Sequence, residues 1–282
     1  MQASLKYIRK ELDGIYPTEE LESFIRIIFD HLKSYNSTDL ILKKDEILSE
    51  SEREEVEEIV KRLQQNEPIQ YILGGTEFFG LPFKLNPNVL IPRPETEELV
   101  DWILKSDLPA SPFIFDVGTG SGCIPIALKK NLPEAIVLAC DISTGSLETA
   151  RGNSQLNQTE VVFLELNILN PDVPDSFPEL DVIVSNPPYV TISERNLMAK
   201  NVLDFEPDTA LYVADEEPLK FYKALVTFSK RHLKAGGFMF WEINEAFGRE
   251  CASLLEENGF SNVELRKDLN GKCRMIKAIK NS

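Results

Sequence analysis

Hydrophobic positions in the first seventy residues recur at helical spacing. Leu5, Ile8, Leu12 and Ile15 predict one helix that stops before Pro17. Leu21, Phe24, Ile25, Ile28, Phe29 and Leu32 share one face of a second, with Thr18 placed to cap it. Ser51-Glu52-Arg53-Glu54 has capping-box spacing and opens a third, which turns Val56, Ile59, Val60 and Leu63 inward and closes at Pro68. The charges from Glu52 to Glu58 form its solvated face. Residues 1–70 are therefore expected to form a small helical bundle with no chemistry of its own.

From Tyr71 to Ile91 the helical period breaks. Gly74-Gly75, Gly80, Pro82 and Pro87 punctuate short aromatic and β-branched pieces, the pattern of a β-hairpin linker over residues 71–91. A helix through Leu99, Val100, Ile103 and Leu104 follows. From Phe113 onward, short apolar runs alternate with helical patterns, which predicts an α/β domain over 92–282 built on a parallel-rich sheet. Strands are expected at 113–117, 136–140, 161–165, 181–185, 238–243, 262–268 and 274–279, and helices from near Ser121, Ser146, Leu219 and Ala246. The last two strands have no helix between them and should pair as an antiparallel hairpin around Asn270-Gly271.

Composition narrows the function classes. The chain has 282 residues, 43% hydrophobic and 27% charged, as expected of a soluble globular protein. No apolar run approaches the ~20 residues that span a bilayer, and Met1 to Lys6 lacks the apolar stretch of a secretory signal. A cytoplasmic protein with no membrane partner is expected. Cys123, Cys140, Cys251 and Cys273 are scattered and have no histidines near them, so neither a zinc site nor any other metal is expected, and the thiols should be reduced. The net charge of −16 counts against nucleic acid as the main partner.

Two motifs carry the chemistry. Phe113-Ile114-Phe115-Asp116-Val117 empties into Gly118-Thr119-Gly120-Ser121-Gly122, glycines that let the backbone turn tightly and approach a ligand. Alone, such a loop suits NAD, FAD or S-adenosylmethionine, or a plain strand-to-helix turn. Asp141, at the end of the next strand, is placed to accept hydrogen bonds from two ribose hydroxyls. The dinucleotide fingerprint needs glycine where this chain has Cys123, so a cofactor without a pyrophosphate is favoured. Asn167-Ile168 ends the third strand, where an amide could meet adenine and Ile168 cover the ring; Asn167 could equally be a turn residue.

The second motif, Asn186-Pro187-Pro188-Tyr189, ends the apolar strand Asp181-Val182-Ile183-Val184-Ser185. Its prolines stiffen the loop. A stiff loop can aim the Asn186 side-chain oxygen and the Pro187 carbonyl at one –NH₂ group, while Tyr189 offers a flat face for stacking. Two acceptors would raise electron density on a poorly nucleophilic nitrogen and orient it, with no strong base required. In an open α/β sheet both motifs face one crevice, which points to methyl transfer onto nitrogen.

The chain resembles the protein-(glutamine-N5) methyltransferases of the HemK/PrmC type, which modify the glutamine of the Gly-Gly-Gln motif in class-1 peptide-chain release factors. The resemblance covers nearly the whole chain: Pro68 to Gly74, Ile91-Pro92-Arg93-Pro94-Glu95-Thr96-Glu97, Asp116 to Gly122, Asn186 to Tyr189, Phe205-Glu206-Pro207 with Ala210-Leu211, and Lys267 to Gly271. It implies a Rossmann-like, class I methyltransferase fold with a seven-stranded mixed sheet, and S-adenosyl-L-methionine as donor, leaving S-adenosyl-L-homocysteine. Gly118, Thr119, Gly120, Ser121, Gly122, Asp141 and Asn186 are implied as cofactor contacts, to which the strand-end reading above adds Asn167 and Ile168. Asn186, Pro187, Pro188 and Tyr189 are implied as the glutamine site, with Asn186, Pro187 and Tyr189 catalytic. It also implies release-factor docking for residues 1–70. A monomer is expected. The family often has an acidic residue followed by an aromatic where this chain has Asn167-Ile168, which leaves the adenine contacts open.

Asn-Pro-Pro-Tyr also occurs in DNA adenine methyltransferases, the alternative enzyme. Base flipping would require a basic recognition surface, yet Glu194, Asp204, Glu206, Asp208, Asp215, Glu216 and Glu217 follow Tyr189. A non-catalytic module that binds translation factors is a third possibility, against which the intact glycine loop argues. Arg93, between two prolines, either shapes the rim of the site or braces the linker. His31 and His232 read as helix-end residues, Trp102 and Trp241 as packing residues, and Cys123 as a small packed side chain.

Overall fold

The computed structural model describes residues 1–282 and divides them into two units, Met1–Gly74 with Ala199–Phe205, and Gly75–Met198 with Glu206–Ser282. In the first unit lie α1 (Gln2–Leu12), α2 (Thr18–Lys33), α3 (Ser37–Leu42), α4 (Glu50–Leu63) and α5 (Ile69–Ile72). Their apolar stripes meet in one core, where Ile8, Leu12, Ile28, Phe29, Val60 and Leu63 are fully buried.

The ends of these helices differ from expectation. Pro17, not Thr18, holds the cap position of α2: its carbonyl accepts the first helical hydrogen bond, from Leu21 N–H (3.0 Å), and Thr18 is already helical. The capping box of α4 uses Ser49 and Glu52 rather than Ser51 and Glu54. Both spacings exist in the sequence, and the earlier one lets Leu48 enter the core. The helix ends at Leu63, well before Pro68, in a turn through Asn66, whose positive φ asparagine tolerates; Pro68 instead starts α5. Ile15 falls beyond α1 and is exposed. The short α3, capped by Asn36 with Asp39, was not anticipated because it buries no residue and so has no apolar stripe.

The second unit begins with an antiparallel hairpin, β1 (Gly75–Phe78) and β2 (Leu81–Lys84), and α6 (Pro94–Leu104). Next come β3 (Phe113–Val117), α7 (Cys123–Asn131), β4 (Ile136–Asp141), α8 (Thr144–Leu156), β5 (Val161–Glu165) and β6 (Leu180–Ser185). After β7 (Val190–Thr191), α9 (Lys200–Phe205) clusters with the first unit. The chain then forms α10 (Asp208–Leu211), β8 (Tyr212–Val213), α11 (Lys220–His232), β9 (Leu233–Glu242), α12 (Gly248–Glu257), β10 (Phe260–Lys267) and β11 (Cys273–Lys280).

The seven long strands from β3 onward pair in the order β10–β11–β9–β6–β3–β4–β5. Strands β5, β4, β3, β6 and β9 are parallel; β11 alone runs against them, and β10, antiparallel to β11, returns to the common direction. All seven expected strands are present. β9 starts at Leu233 rather than 238, because Gly236 and Gly237 sit at an irregularity in its pairing with β6 without ending the strand.

Side chains alternate between two buried faces. Ile114, Val137, Val182, Val184 and Phe240 pack with α6, α7 and the hairpin residues Phe78 and Phe83. Phe115, Leu138, Ile183 and Trp241 pack with Tyr222, Leu225 and Phe228 of α11 and Leu255 of α12. From β3 the chain steps outward through β4 and β5, then returns to lay β6 on the other side of β3. A crevice opens beyond the carboxyl ends of the strands at that reversal. No helix is long and apolar enough to cross a membrane.

A polar stripe on α8 secures the linker beside this crevice. Asn153 accepts from Lys84 N–H (2.7 Å) and donates to the carbonyls of Lys84 (3.0 Å) and Ser121 (2.9 Å). Asn157 donates to the Pro82 carbonyl (2.8 Å), Ser146 to that of Asn88 (3.0 Å), and Asn86 to the Thr149 hydroxyl (2.9 Å). The helical spacing of Ser146, Thr149, Asn153 and Asn157 was the available signal in the sequence.

Candidate active site

The glycine loop leaves β3 and is tied at once to β4. Gly118 and Thr119 N–H both donate to the Cys140 carbonyl at 2.9 Å, and Gly120 N–H donates to Asp141 Oδ2 at 2.9 Å. Gly118, Gly120 and Gly122 all have positive φ. Gly122 caps α7, and a Cβ there would lie 3.0 Å from Ile126 Cδ1 and 3.1 Å from Ala150 Cβ, so glycine also lets α7 approach α8. At Gly118 and Gly120 a Cβ would meet nothing within 4 Å and would project into open space.

That space is a cleft of about 380 Å³. Its wall includes Gly118, Thr119, Gly120, Ser121, Asp141, Asn167, Ile168, Asn186, Pro187 and Pro188, so most residues selected from sequence are brought together. Gly122 lies behind the wall. Tyr189 is also outside it: its ring packs against the core and its hydroxyl faces Glu242. Asn167 makes a turn, accepting from Leu169 N–H at 3.0 Å, while still lining the cleft, so its two possible roles coexist. Ile168 is buried against the sheet core and also faces the cleft.

The acidic groups around the loop differ in their surroundings. Asp141 accepts from Ser143 N–H (Oδ1, 2.9 Å) as well as from Gly120. Burial pushes its carboxyl up, opposed by these N–H donors. Asp116, Thr119 Oγ1 and Ser121 Oγ are sealed from water with no hydrogen-bond partner. Burial pushes the Asp116 carboxyl up to about 7, with the nearby Thr119 hydroxyl acting against the shift and the charge of Asp141 adding to it. Such unpaired groups are costly, and they belong to the loop and to the strand that feeds it. Cys123 is buried, with its thiol pushed up to about 12, and packs in the core.

A hydrogen-bonded chain underlies the second motif. Asn186 Nδ2 donates to Thr96 Oγ1 (3.2 Å), Thr96 Oγ1 donates to Glu242 Oε2 (2.7 Å), and the Tyr189 hydroxyl donates to Glu242 Oε1 (2.7 Å). Glu242 is 1% exposed, and burial raises its carboxyl against the pull of Thr96 and Tyr189. The Tyr189 carbonyl accepts from Asn244 Nδ2 (3.2 Å), and β7 pairs with β8 just downstream. Neither Asn186 Oδ1 nor the Pro187 carbonyl accepts a hydrogen bond from the protein. Thr96 and Glu242 were missed in the sequence. The visible signal was a carboxylate ending the apolar run Phe238-Met239-Phe240-Trp241.

Arg93 is the one basic side chain in the cleft wall, and it is committed to Glu206: one guanidinium nitrogen lies 2.7 and 2.8 Å from its two oxygens. The wall thus has no free cation for a phosphate. No group of His, Cys, Asp and Glu could hold a metal. His31 pairs with Glu55 on α4 (3.0 Å), and His232 packs between Phe177 and Phe228.

Residues 3–74 match the family described as PrmC N-terminal domain, and residues 98–205 match the methyltransferase small domain. A release factor glutamine methyltransferase of Flavobacterium psychrophilum is 46% identical over 270 residues, 94% of each chain. One from Bacteroides thetaiotaomicron is 44% identical, covering 96% of this chain and 97% of its own. Among solved structures, a methyltransferase from Pyrococcus furiosus shares the fold at a TM-score of 0.54 and 19% identity, over 79% of this chain and 98% of that one. A Thermus thermophilus 16S rRNA N2 G1207 methyltransferase, in complex with AdoMet and guanosine, aligns at a TM-score of 0.53 and 18% identity, over 73% and 50% of the two chains.

Proposed function

Because the chain belongs to the release factor glutamine methyltransferase family, we propose that it transfers a methyl group from S-adenosyl-L-methionine to the side-chain amide nitrogen of the Gly-Gly-Gln glutamine in class-1 peptide-chain release factors. The residues of the cleft fit this donor. The open faces of Gly118 and Gly120 admit close approach of a ligand to the backbone. Asp141 has two oxygens, each with one N–H donor, and a carboxylate can accept about four hydrogen bonds; it is assigned to the ribose hydroxyls. The lack of a free cation in the wall suits a ligand without phosphates. Bound there, the donor supplies an electrophilic methyl carbon on a sulfonium.

Asn186 and Pro187 prepare the acceptor. Asn186 Oδ1 and the Pro187 carbonyl have no protein partner and can accept the two hydrogens of a substrate –NH₂, holding its lone pair toward the donor side of the cleft. Pro188 stiffens this loop and Tyr189 braces it through Glu242. Transfer would join the donor's methyl carbon to the substrate nitrogen as the carbon–sulfur bond breaks toward sulfur, and the nitrogen would release to solvent one of the two protons held at Asn186 Oδ1 and the Pro187 carbonyl. The observation that carries the proposal is this pair of unengaged acceptors on the wall of a cleft with a glycine loop. Residues 1–70 are assigned to release-factor docking, and the chain to the cytoplasm, as a monomer.

Incubation with donor and purified release factor, followed by mass measurement of the Gly-Gly-Gln peptide, tests the assignment. A gain of one methyl group is expected. An unchanged peptide mass with donor binding demonstrated by calorimetry would reject it, and methylation of duplex DNA instead would establish the adenine reading.

A further inference from the structure

Given the amide methylation proposed above, we propose that Thr96 and Glu242 form a positioning relay that sets which way round the Asn186 amide stands. An Asn side chain can present either its oxygen or its –NH₂ to a ligand, and the two are nearly equal in size. Only the oxygen can accept from a substrate amide. In the flipped state –NH₂ would confront –NH₂.

The relay removes that ambiguity through hydrogen-bond polarity. Glu242 is sealed in the core at the end of β9 and receives two donors, Thr96 Oγ1 on Oε2 and the Tyr189 hydroxyl on Oε1, both at 2.7 Å. Thr96, at 2% exposure, has a single hydroxyl proton, and Glu242 takes it. Toward Asn186, Thr96 can therefore only accept, which selects Nδ2 at 3.2 Å and leaves Oδ1 for the substrate. The same carboxylate holds Tyr189, so one buried group secures both ends of the Asn-Pro-Pro-Tyr loop. It also accounts for a carboxylate at the end of the apolar run Phe238-Met239-Phe240-Trp241, where removing one partner of a buried network leaves the others unsatisfied.

Glu242 is sealed away from the cleft, and Thr96, though at the cleft wall, has its hydroxyl committed to Glu242 and Asn186, so their loss should separate turnover from binding. Thr96→Val keeps the shape but abolishes the polarity, and turnover should fall roughly 10- to 100-fold, as for a misplaced reacting group. Donor affinity by calorimetry and KM for release factor should change little, and Thr96→Ser should restore turnover. Side-chain ¹⁵N–¹H spectra supply a readout independent of catalysis. In the wild type, the Asn186 –NH₂ signals, assigned by their loss in Asn186→Ala, should include one proton protected from exchange; Thr96→Val should abolish the protection and Thr96→Ser should keep it.

Fast exchange of both Asn186 amide protons in the wild type would overturn the relay without requiring any variant to fold. So would wild-type turnover in Thr96→Val when the wild type methylates release factor. If the wild type failed on release factor, the proposed function would fall, while the exchange measurement would still decide the orientation of Asn186.

Discussion

Asn186 and Asp141 close β6 and β4 at opposite sides of β3, and truncating them should produce different defects. Asn186→Ala deletes one of two acceptors for the substrate –NH₂, and loss of one preorganised contact costs ~10²–10³ in turnover. Asp141→Ala deletes an ionised acceptor whose hydrogen bonds contribute roughly 1.5–3 kcal/mol each. It also frees Gly120 and Ser143 N–H, so donor affinity should fall first. Calorimetry with donor and single-turnover methylation separate the two. Gly122→Ala should instead destabilise the fold, since positive φ and Cβ approaches of 3.0 and 3.1 Å combine; about 1–3 kcal/mol in urea unfolding is expected. Most residues selected from sequence fell on the cleft wall because strand ends, glycines and prolines announce themselves. Thr96 and Glu242 were not, because their meaning lies in a contact between the start of α6 and the end of β9, which no local pattern encodes. Tyr189 was legible as part of the motif, but its engagement with Glu242 was not.

At the scale of elements, α8 does more than cover the sheet. Asn153 is fully buried and spans β2 and the glycine loop with three hydrogen bonds. Asn153→Ala should cost roughly 1–3 kcal/mol for each polar group left sealed without a partner. Hydrogen exchange should show protection lost at the Lys84 amide before the sheet amides. Strand positions were readable because parallel strands buried on both faces appear as short apolar runs. Helix ends were less readable. Two capping spacings lie side by side near Ser49 and Ser51, and only burial of Leu48 separates them. The start of α2 was misplaced by one residue because a proline carbonyl can open a helix without any capping side chain.

At the scale of the molecule, the two units should respond to pH in opposite senses. In the sheet unit burial raises Asp116, to about 7, and also Asp141 and Glu242. These carboxyls bind protons more tightly folded than unfolded, so their contribution is present below the ordinary carboxylate range of ~4. It is lost as pH rises through each folded-state value; for Asp116 that is toward 7, and the loss amounts to a few kcal/mol, on the order of the linkage expected for such a shift. Asp116→Asn should flatten this dependence. In the helical unit Lys33 and Ser49 N–H hold Glu52 down at about 2, and Lys43 and Asn36 N–H lower Asp39, so their contribution is lost on acidification. Hydrogen exchange at pH 4 and pH 7.5, corrected for intrinsic rates, should show protection in 1–74 weaker at the lower pH and protection in the sheet stronger there. The same division bears on substrate choice: a short Gly-Gly-Gln peptide should be a far poorer acceptor than an intact release factor if residues 1–70 serve in docking. The most direct test of methyl transfer to an amide nitrogen is to locate the methyl group in the product. Acid hydrolysis of release factor methylated with labelled donor should release labelled methylamine, and peptide fragmentation should place the group on the glutamine of Gly-Gly-Gln. Label that stays with the amino acids after hydrolysis, or that maps to another residue, would contradict the account.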